Sequence, residues 1–321
     1  VFMKTTEDFC RVKLMAGPTP MYKLENVSRV LGKNIWIKRD DMTGVALGGN
    51  KVRKLEFLLA DAVRKGAKTV LTTGGAQSNH AMLTAACCMR LGLKPVLLLK
   101  KRGVSDRRGN LLLSRLMGTD VRFVDTDSFE EINAMMDEIG RKTGEPYYTI
   151  PVGGSVPLGA LGYVDCVHEM SVQAAERGVH IDRIVCATGS GGTHAGLALG
   201  AMLYMPGTKV TGMAVDTQEF DRIVPGIMRG TAELLGLEAK TDCEVGLRPA
   251  YGPGYALPSD EGSEAIRLMA RCEGIFLDPV YTGKAFAGLI EMVRSGSLEQ
   301  EENILFLFTG GAGGLFAIDF D

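Results

Sequence analysis

The chain of 321 residues is 45% hydrophobic, which is enough apolar material for the core of one large domain or two linked domains. Its 36 basic and 38 acidic residues leave a formal net charge of -2, without the basic excess of nucleic-acid-binding proteins, so no nucleic-acid partner is expected. No apolar run reaches the roughly 20 residues of a membrane span and no signal-peptide hydrophobic region opens the chain, which predicts a cytoplasmic protein without a membrane partner.

Apolar runs typical of strands alternate with amphipathic runs typical of helices in the first half of the chain. A Gly-rich bend, GGSVPLGALG, then interrupts the alternation, and we place a crossing between two domains near it. The alternation predicts an open, mostly parallel sheet with helices packed against it. Strands are predicted at 35–38, 69–73, 95–100, 121–125 and 147–151, and helices at 52–65, 80–91 and 129–142.

The alternation resumes in the second half of the chain, which implies a second α/β sheet. Strands are predicted at 183–189, 209–215 and 304–311, and helices at 193–204 and 223–237. Glycine-rich segments stand at the carboxyl ends of three predicted strands, with the sequences TTGGAQSNH, ATGSGGTHAG and LFTGGAGG. Ligands bind at the carboxyl ends of strands in open α/β sheets, so these segments mark the candidate site.

The cysteines form an odd set of seven without a C-x-x-C pair, and several lie in apolar segments. We interpret them as reduced, mostly buried thiols, and we predict neither a catalytic cysteine nor a metal site. They are Cys10, Cys87, Cys88, Cys166, Cys186, Cys243 and Cys272.

The run Gly189-Ser190-Gly191-Gly192-Thr193 lies between a predicted strand and a predicted helix. Its backbone amides can converge on the N-terminus of that helix and hold an anion such as phosphate. The alternative is a glycine-rich turn that only allows close packing. The spacing is not G-x-G-x-x-G and no acidic residue is placed for a ribose, so a dinucleotide site is the poorer hypothesis.

Lys51 follows Gly48, Gly49 and Asn50 in the run GGNKVRKLEF and opens an amphipathic helix. Most lysines are solvated surface charges, and that is the alternative interpretation. At a loop-to-helix junction, however, the amine can face a cleft, where loss of hydration lowers its pKa and lets it form a Schiff base. Lys54 is the competing candidate, but its place within the helix predicts a buried stem with a solvated ammonium tip.

Gln77, Ser78, Asn79 and His80 follow a predicted strand and two glycines. Hydroxyl, amide and imidazole groups at such a point can bind a carboxylate together with the amides of the next helix. The alternative is an N-cap, because Ser78 or Asn79 can cap that helix. The two roles are compatible.

Tyr281 and Thr282 stand ahead of a new helix in DPVYTGKAFAG, Tyr255 lies in GPGYALP, and Thr309 lies in LFTGG. Tyrosines at turns usually pack half-buried with one hydrogen bond. Each of these residues alone is therefore a weak indicator, and their joint occurrence makes them candidates.

These motifs together resemble the fold-type II pyridoxal-phosphate (PLP) enzymes, and within them the D-cysteine desulfhydrase and 1-aminocyclopropane-1-carboxylate (ACC) deaminase family. The resemblance runs along nearly the whole chain through KRDD, GGNKVRKLEF, GGAQSNH, PVGGS, GSGGTHAGL, DPVYTGKA and TGG. It implies a tryptophan-synthase-β-like α/β fold of two open, twisted, mostly parallel sheets flanked by helices. The implied larger, PLP-binding domain comprises 1–48 and 152–321, the smaller comprises 49–151, and the active site lies in the cleft between them.

The resemblance also implies how PLP would be held. Lys51 would form the Schiff base, Asn79 would hydrogen-bond the phenolate oxygen, and Thr309 would face the pyridine nitrogen. The loop at 189–193 would cradle the phosphate. The implied cofactor-binding residues are Asn50, Lys51, Asn79, Thr188, Gly189, Ser190, Gly191, Gly192, Thr193 and Thr309.

For the substrate, the resemblance implies a small amino acid whose carboxylate meets Ser78, with Tyr255 and Tyr281 as the two active-site tyrosines. Catalytic roles are thereby implied for Lys51, Ser78, Tyr255 and Tyr281, and substrate contacts for Gln77, Ser78, Asn79, His80 and Thr282. Members of the family commonly form homodimers, so a homodimer is expected.

The activity implied most directly is β-elimination on D-cysteine, which yields pyruvate, sulfide and ammonia. ACC deaminases are expected to carry Glu after the tyrosine of DPVY and Leu before the final GG, where this sequence has Thr282 and Thr309. Those threonines favour a desulfhydrase-like lyase. After SNH, however, Ala81-Met82-Leu83 stands where desulfhydrases often carry an Arg-Gln pair. ACC deaminase and L-cysteate sulfo-lyase therefore stay open as alternatives.

Two further alternatives belong to other classes of protein. One is an α/β protein that binds a phospho-ligand without PLP, with Lys51 paired to the phosphate. The other is a non-enzymatic binding protein of the same fold, because fold alone does not establish catalysis.

Overall fold

The computed structural model describes residues 4–101, 107–237, 245–250 and 252–319. The first half contains β1 (Met21–Lys23), α1 (Glu25–Leu31), β2 (Asn34–Arg39), α2 (Lys51–Arg64), β3 (Thr69–Gly75), α3 (Asn79–Arg90), β4 (Lys94–Lys100), α4 (Gly109–Leu116), β5 (Asp120–Val124), α5 (Phe129–Lys142) and β6 (Tyr147–Ile150). The second half contains α6 (Pro157–Glu176), β7 (Arg183–Thr188), α7 (Gly192–Tyr204), β8 (Lys209–Ala214), α8 (Phe220–Leu234), β9 (Gly246–Pro249), α9 (Asp260–Glu273), α10 (Thr282–Arg294), β10 (Asn303–Phe308) and α11 (Ala312–Leu315). Short 3₁₀ turns lie at Thr6–Asp8, Asp40–Met42 and Val152–Gly154.

The strands form two sheets in which parallel pairs dominate. The six-stranded sheet has the order β1-β2-β10-β7-β8-β9, and only the β1-β2 pair of those described is antiparallel. The four-stranded sheet has the order β5-β4-β3-β6, and all of its pairs are parallel. The predicted fold of two mostly parallel sheets flanked by helices is confirmed. Strands β3 to β6 fall inside the segment expected to form the smaller domain, whereas the boundary residues of that domain stay a prediction.

The last strand, β10, lies between β2 and β7 and so joins both ends of the chain in one sheet. Central parallel strands are covered on both faces and therefore read as continuous apolar runs. The sequence NILFLF of β10 is such a run and is buried from Ile304 to Phe308. Because these strands are parallel, the loops that follow them emerge at one edge of the sheet.

The Gly-rich segment GGSVPLGALG is a bend only in its first part. Helix α6 begins at Pro157, and proline suits the first helical position because the N–H that it lacks has no helical partner there. The interpretation of the whole segment as a bend is therefore wrong for its second part. Its glycines serve close packing, since a Cβ on Gly162 would lie 2.4 Å from the carbonyl oxygen of Arg53. Helix α6 thus packs directly against α2, the helix that begins at Lys51.

The cysteines that the structure describes agree with the predicted reduced and mostly buried thiols. All six are free and four of them are buried. Burial raises the pKa of the Cys87 and Cys186 thiols to about 12, which keeps them protonated and unreactive. Cys243 lies outside the described residues. Within the described part of the chain, no helix has the length and apolar character needed to cross a membrane.

Candidate active site

A cavity opens at the carboxyl ends of β3, β7 and β10, where the loops after these strands meet the start of α2. The open space in it, including the part continuous with solvent, is about 650 Å³. Strands β7 and β10 belong to the six-stranded sheet and β3 to the four-stranded sheet, so the cavity lies where loops at the carboxyl ends of the two sheets meet. The predicted site residues that line it are Asn50, Lys51, Ser78, Asn79, His80, Thr188, Gly189, Ser190, Gly191, Thr193, Tyr255, Tyr281 and Thr309.

Lys51 is the first residue of α2, and its position depends on the glycines before it. Gly48 has a φ of 71°, and a Cβ there would lie 1.6 Å from the carbonyl oxygen of Asp41, so a side chain cannot be accommodated. Burial lowers the pKa of Lys51 from 10.5 to about 8. No hydrogen bond or ion pair reaches its amine from the other residues that the structure describes. Lys51 therefore presents a desolvated, unpaired amine at the cavity wall.

Asn50 ties the start of α2 to the two other loops of the cavity. Its backbone N–H donates to the carbonyl oxygen of Thr309 at 3.0 Å. Its side-chain Nδ2 donates to Thr193 Oγ1 at 2.9 Å. The residue before Lys51 is thus held on both sides, which fixes where the lysine enters the cavity.

The loop from Gly189 to Thr193 connects β7 to α7, as predicted. Gly191 is the N-cap of α7 with a φ of 85°, a conformation that favours glycine. Gly192 is absent from the described wall of the cavity, and its N–H donates to Ser155 Oγ at 3.1 Å. The remaining N–H groups at the start of a helix have no helical partner and carry partial positive charge. The wall formed by this loop is therefore suited to an anion.

Lys54 lies behind this loop, so the prediction of a solvated ammonium tip is wrong. The residue is 1% exposed, and Nζ donates to the carbonyl oxygen of Gly153 at 3.1 Å and to Ser155 Oγ at 3.2 Å. Ser155 Oγ lies 2.8 Å from Ser190 Oγ, which extends the chain of hydrogen bonds to the loop. The prediction fails because the bend before α6 covers this face of α2. Burial, and then the charge of Lys51, lower the pKa of Lys54 well below 10.5, and a bound anion would oppose both effects.

Ser78 is both a helix cap and part of the cavity wall, so its two predicted roles coexist. Its Oγ accepts a hydrogen bond from the N–H of Ala81 at 3.2 Å and caps α3. Gln77, in contrast, is absent from the described wall of this cavity. Its side chain accepts from the N–H of Asn110 at 2.8 Å and donates to the carbonyl oxygen of Arg108 at 3.0 Å. Gln77 braces the start of α4 by these bonds, and it lies in the wall of the adjoining cavity described below, so its contact with substrate stays a prediction.

His80 lies deep in the wall as a neutral ring. Its Nε2 is 2.8 Å from Thr72 Oγ1, and the Thr72 hydroxyl donates to the carbonyl oxygen of Ile150 at 2.7 Å. Because that hydroxyl proton is used, Nε2 carries the ring proton and Nδ1 is an acceptor. Nδ1 has no partner among the described residues. Burial, followed by the charges of Lys51 and Lys54, lowers the pKa of His80 well below 6.5.

The two predicted tyrosines meet across the cavity. Tyr255 and Tyr281 have their hydroxyl oxygens 2.6 Å apart, and their rings lie edge to face at 6.1 Å. Burial, and then the neighbouring Tyr255, raise the pKa of Tyr281 well above 10, so its phenol stays protonated. A pair of mutually bonded hydroxyls can pass a proton along its hydrogen bond.

The loop that carries Tyr281 is organised by the buried carboxylate of Asp278. Asp278 Oδ2 accepts from the N–H groups of Val280 and Tyr281 at 2.9 Å each. Thr282 also turns inwards, because its Oγ1 donates to Asp278 Oδ1 at 2.7 Å and accepts from the Asp278 N–H at 2.8 Å. Thr282 is 0% exposed and is absent from the described wall of the cavity. Its predicted contact with substrate is therefore replaced by a role in shaping the loop.

A second cavity adjoins the first and shares Ser78, Asn79, Tyr255 and Tyr281 with it. The open space in it, including the part continuous with solvent, is about 460 Å³. Most of its other wall residues are apolar or small: they are Gly75, Gln77, Ala256, Asp278, Val280, Gly314, Ala317 and Ile318. Among the described residues that line the two cavities, Lys51 is the only lysine or arginine.

Three residues that the sequence did not single out, Ser155, His194 and Asn110, complete the site together with Lys54, which was considered only as an alternative to Lys51. Lys54 and Ser155 support the loop after β7, as described above. His194 lines the cavity, with Nδ1 3.2 Å from Thr188 Oγ1, and burial lowers its pKa to about 4. Asn110, from α4, braces Gln77. His194 directly follows the glycine-rich loop and Ser155 lies in the PVGGS motif, so both carried a signal, whereas Asn110 lies in no motif.

Comparison with known proteins identifies the family. A family model described as "Pyridoxal-phosphate dependent enzyme" matches residues 12–310. A D-cysteine desulfhydrase of Klebsiella pneumoniae (strain 342) is 45% identical over 318 residues, which cover 96% of this chain and 96% of that relative. A solved structure described as an ACC deaminase homologue is 41% identical, with a TM-score of 0.90 over 97% of this chain and 94% of that one. The processed form of threonine deaminase isoform 2 from Solanum lycopersicum shares the fold at 19% identity, with a TM-score of 0.66 over 96% and 81% of the two chains. The resemblance of the motifs is thereby confirmed, and the chain belongs to the family of pyridoxal-phosphate dependent enzymes.

Proposed function

We propose that this enzyme holds PLP in the first cavity through a Schiff base to Lys51 and eliminates the β-substituent of D-cysteine, releasing pyruvate, sulfide and ammonia. The observation that carries the proposal is the unpaired amine of Lys51, with its pKa lowered to about 8, in a cavity that also contains an anion-binding loop. The choice of D-cysteine rests on the D-cysteine desulfhydrase that is 45% identical along nearly the whole chain.

The residues of the cavity fit the cofactor. The loop after β7 offers N–H donors to a phosphate, and Lys54 stands behind it. Glycines keep this cradle open, since a Cβ on Gly189 would lie 3.0 Å from Tyr281 Cε1 and one on Gly191 would lie 2.9 Å from Ile223 Cγ2. When bound, PLP supplies an electron sink that stabilises negative charge at the substrate Cα.

Lys51 is proposed as the base that takes the proton from Cα. A general base works best when its pKa lies near the operating pH, and burial has moved the pKa of Lys51 to about 8. His80 cannot share a positive charge with it, because burial keeps that ring neutral. In this proposal the proton taken from Cα stays at Lys51 Nζ until a product receives it.

Substrate orientation and the leaving group are assigned to the opposite wall. Ser78 Oγ and the first N–H groups of α3 offer donors to the carboxylate of the amino acid. The Tyr255-Tyr281 pair, with its 2.6 Å hydrogen bond, can deliver a proton to the departing sulfur. Thr309 lines the same cavity and would offer a neutral hydroxyl to the ring nitrogen of the cofactor. A hydroxyl would impose less positive charge there than a carboxylate, which would favour elimination over transamination or racemisation.

The described walls favour a thiol over a sulfonate as leaving group. A sulfonate carries a permanent negative charge and, when buried, needs a cationic partner. Lys51 is the one lysine or arginine among the described lining residues, and the proposed chemistry already engages it. The second cavity is lined largely by apolar residues such as Val280 and Ile318, which suit a sulfur atom. This supports D-cysteine over L-cysteate.

Substrate choice is tested by offering the holoenzyme D-cysteine, L-cysteate and ACC in parallel. We expect pyruvate and sulfide from D-cysteine, at a kcat/KM at least about 100-fold above that for L-cysteate, because an unpaired buried charge costs roughly 3 kcal/mol or more. Pyruvate, 2-oxobutyrate, sulfide and sulfite are quantified in each reaction. Sulfite release from L-cysteate, or 2-oxobutyrate from ACC, at a higher rate than sulfide release would contradict the assignment while leaving the cofactor site intact.

The pH dependence of cofactor binding tests the lowered pKa of the Lys51 amine. The unprotonated amine attacks the aldehyde, and burial favours that form, so its fraction rises with pH through about 8 instead of 10.5. We expect the rate at which the PLP-free protein regains visible absorbance to rise with pH with a midpoint near 8. The exposed Lys68, changed by Lys68→Ala, serves as a control with the same midpoint. A midpoint near pH 10 would show that the Lys51 amine is hydrated, and it would contradict the lowered pKa.

A cytoplasmic homodimer remains part of the proposal. Free cysteines are typical of a reducing compartment, and the six described cysteines are free. The resemblance implies the dimer, and exposed apolar residues at the ends of the neighbouring helices α4 and α11, Leu116 at 74% and Phe316 at 71%, offer surface for one. The alternatives without PLP lose their support, since the chain belongs to a PLP-dependent family.

A further inference from the structure

The orientation of the Asn79 side-chain amide is fixed by a chain of hydrogen bonds that starts at the backbone. The carbonyl oxygen of Gln77 can only accept, and it receives a hydrogen bond of 3.0 Å from Asn110 Nδ2. The Asn110 amide is therefore placed with its nitrogen towards this turn. The same Nδ2 donates its second proton to Asn79 Oδ1 at 2.6 Å.

Because Asn79 Oδ1 is turned to Asn110, the other half of its amide, the NH₂ group, is the half available to the cavity that Asn79 lines. We infer that Asn110 is a positioning residue that makes Asn79 a hydrogen-bond donor to the ring oxygen of the bound cofactor. The inference rests on the proposed function, since it requires PLP in this cavity. It adds a residue 31 positions away in sequence and on a different helix.

The surroundings of Asn110 are held in place by further contacts with backbone groups. Its backbone N–H donates to Gln77 Oε1 at 2.8 Å, and Gln77 Nε2 donates to the carbonyl oxygen of Arg108 at 3.0 Å. Gly313 closes the other side, because a Cβ there would lie 2.1 Å from Asn110 Oδ1. Both side-chain amides are thus oriented by backbone groups, which have fixed roles as donor or acceptor.

The burial of Asn110 with an unpaired side-chain oxygen lowers stability, which indicates that this asparagine has a function. Asn110 is 1% exposed, and its Oδ1 has no hydrogen-bond partner among the described residues. A buried acceptor without a partner is destabilising, so such groups are rare in native proteins and call for an explanation. An asparagine here is explained if both of its side-chain protons are needed, one on Gln77 and one on Asn79.

The ionisation state of the cofactor's ring oxygen depends on which group of the Asn79 amide, the NH₂ or the carbonyl, faces it. An NH₂ group beside the ring oxygen stabilises that oxygen in its ionised form, in which the bound cofactor absorbs in the visible range. A carbonyl group in the same place would instead favour an oxygen that keeps its own proton, and the absorbance would move to the near ultraviolet. The ratio of the two bands therefore reports the orientation of Asn79 without any turnover.

The test is Asn110→Asp in the holoenzyme, measured at alkaline pH so that the introduced carboxylate is ionised. A carboxylate only accepts, so the Asn79 amide must turn its NH₂ group to it and its carbonyl to the cavity. We expect the visible-to-ultraviolet absorbance ratio to fall by about tenfold, which corresponds to roughly 1.4 kcal/mol, with the amount of bound PLP unchanged. A ratio equal to that of the unchanged enzyme overturns the inference.

Three further variants separate positioning from a loss of structure. Asn110→Ala removes the donor without adding a charge and is expected to lower the ratio by a smaller factor. Ser114→Ala removes the hydrogen bond of 3.0 Å that Ser114 donates to the Asn110 carbonyl oxygen on the same helix, and it should leave the ratio unchanged. In an Asn79→Ala background, Asn110→Asp should have no additional effect, because Asn110 acts through Asn79. An additional fall there overturns the inference.

Failure of the inference is distinct from failure of the proposed function. If borohydride fixes PLP on Lys51 of the unchanged enzyme and Asn110→Asp keeps its spectrum, the cofactor site stands and the positioning role is wrong. If the unchanged enzyme shows no visible band and carries no PLP on Lys51 after reduction, the proposed function itself is wrong.

Discussion

Lys51→Ala is expected to abolish the visible absorbance of the bound cofactor and to lower turnover of D-cysteine by about 10⁴-fold or more. The variant removes both the amine that would hold PLP and the base that would take the α-proton, and general-base catalysis alone contributes up to about 10⁴-fold. The unpaired, desolvated amine of Lys51 at the cavity wall is the structural reason to expect so large a loss. Turnover is followed as sulfide and pyruvate, and the covalent link is followed by borohydride reduction and peptide mapping.

Lys54 provides the most informative comparison with Lys51, because it lies one helical turn away and is 1% exposed. Its Nζ is already bonded to Gly153 and Ser155, so Lys54→Ala should weaken PLP binding while reduced PLP still maps to Lys51. The exposed Lys68 provides a variant, Lys68→Ala, that should change neither property. Retained turnover in Lys51→Ala, or mapping of PLP to Lys54 in the unchanged enzyme, would remove Lys51 from the mechanism.

The alternation of strands and helices can be predicted from the sequence wherever one hydrophobic period, that of a strand or that of a helix, dominates a segment. The predicted helix 129–142 coincides with α5, which has acidic residues in its first turn and basic residues in its last. Helix α6 was missed because proline and glycine usually mark turns, and in this segment they begin a helix and let it touch α2. Whether such glycines form a turn or a closely packed helix depends on the surface that they pack against, here α2, and the sequence of the segment does not contain that information.

At the site, motif positions predicted most of the wall but not the direction of individual side chains. Residues three apart on a helix share a face, so a cavity-facing Lys51 implies an inward Lys54, and this signal was in the sequence. The direction of the Thr282 side chain has no such signal in the sequence. Its hydroxyl donates to Asp278, and that carboxylate also sets the shape of the preceding loop. Asn110 was beyond sequence reasoning, since its contact with Asn79 exists only once α4 packs beside the β3-α3 turn.

Arg53→Met is expected to lower the free energy of unfolding by about 3–5 kcal/mol, although the residue touches neither cavity in the described structure. Arg53 is 0% exposed, and its Nε donates to Asp40 Oδ2 at 2.8 Å and its Nη1 to Glu169 Oε2 at 2.9 Å. Burial opposes the charge on Asp40, yet the charge of Arg53 and its hydrogen bonds hold the pKa of Asp40 below its ordinary value. Methionine has a side chain of similar length but removes the positive charge that both carboxylates share, and the hydrogen bonds from Thr19 and Tyr163 to Asp40 do not replace that charge.

Arg64→Met, on the same helix α2, is the control for Arg53→Met. Arg64 pairs with Asp61 at 2.7 Å, but its side chain is 66% exposed, so Arg64→Met should change stability by no more than about 1 kcal/mol. Both variants remove one arginine from α2 and differ in the burial of the ion pair. Urea unfolding followed by circular dichroism gives the two values under identical conditions, and equal losses would mean that water reaches the Arg53 cluster.

The position of Arg53, two residues after Lys51, connects this stability to the site. Its partners come from the turn after β2 and from α6, so the cluster fixes α2 against both. If that fixation also places Lys51, Arg53→Met should bind PLP more weakly, yet borohydride should still attach the cofactor to Lys51. Normal PLP affinity in a destabilised variant would show that the glycines and Asn50, not the buried ion pairs, hold Lys51 in place.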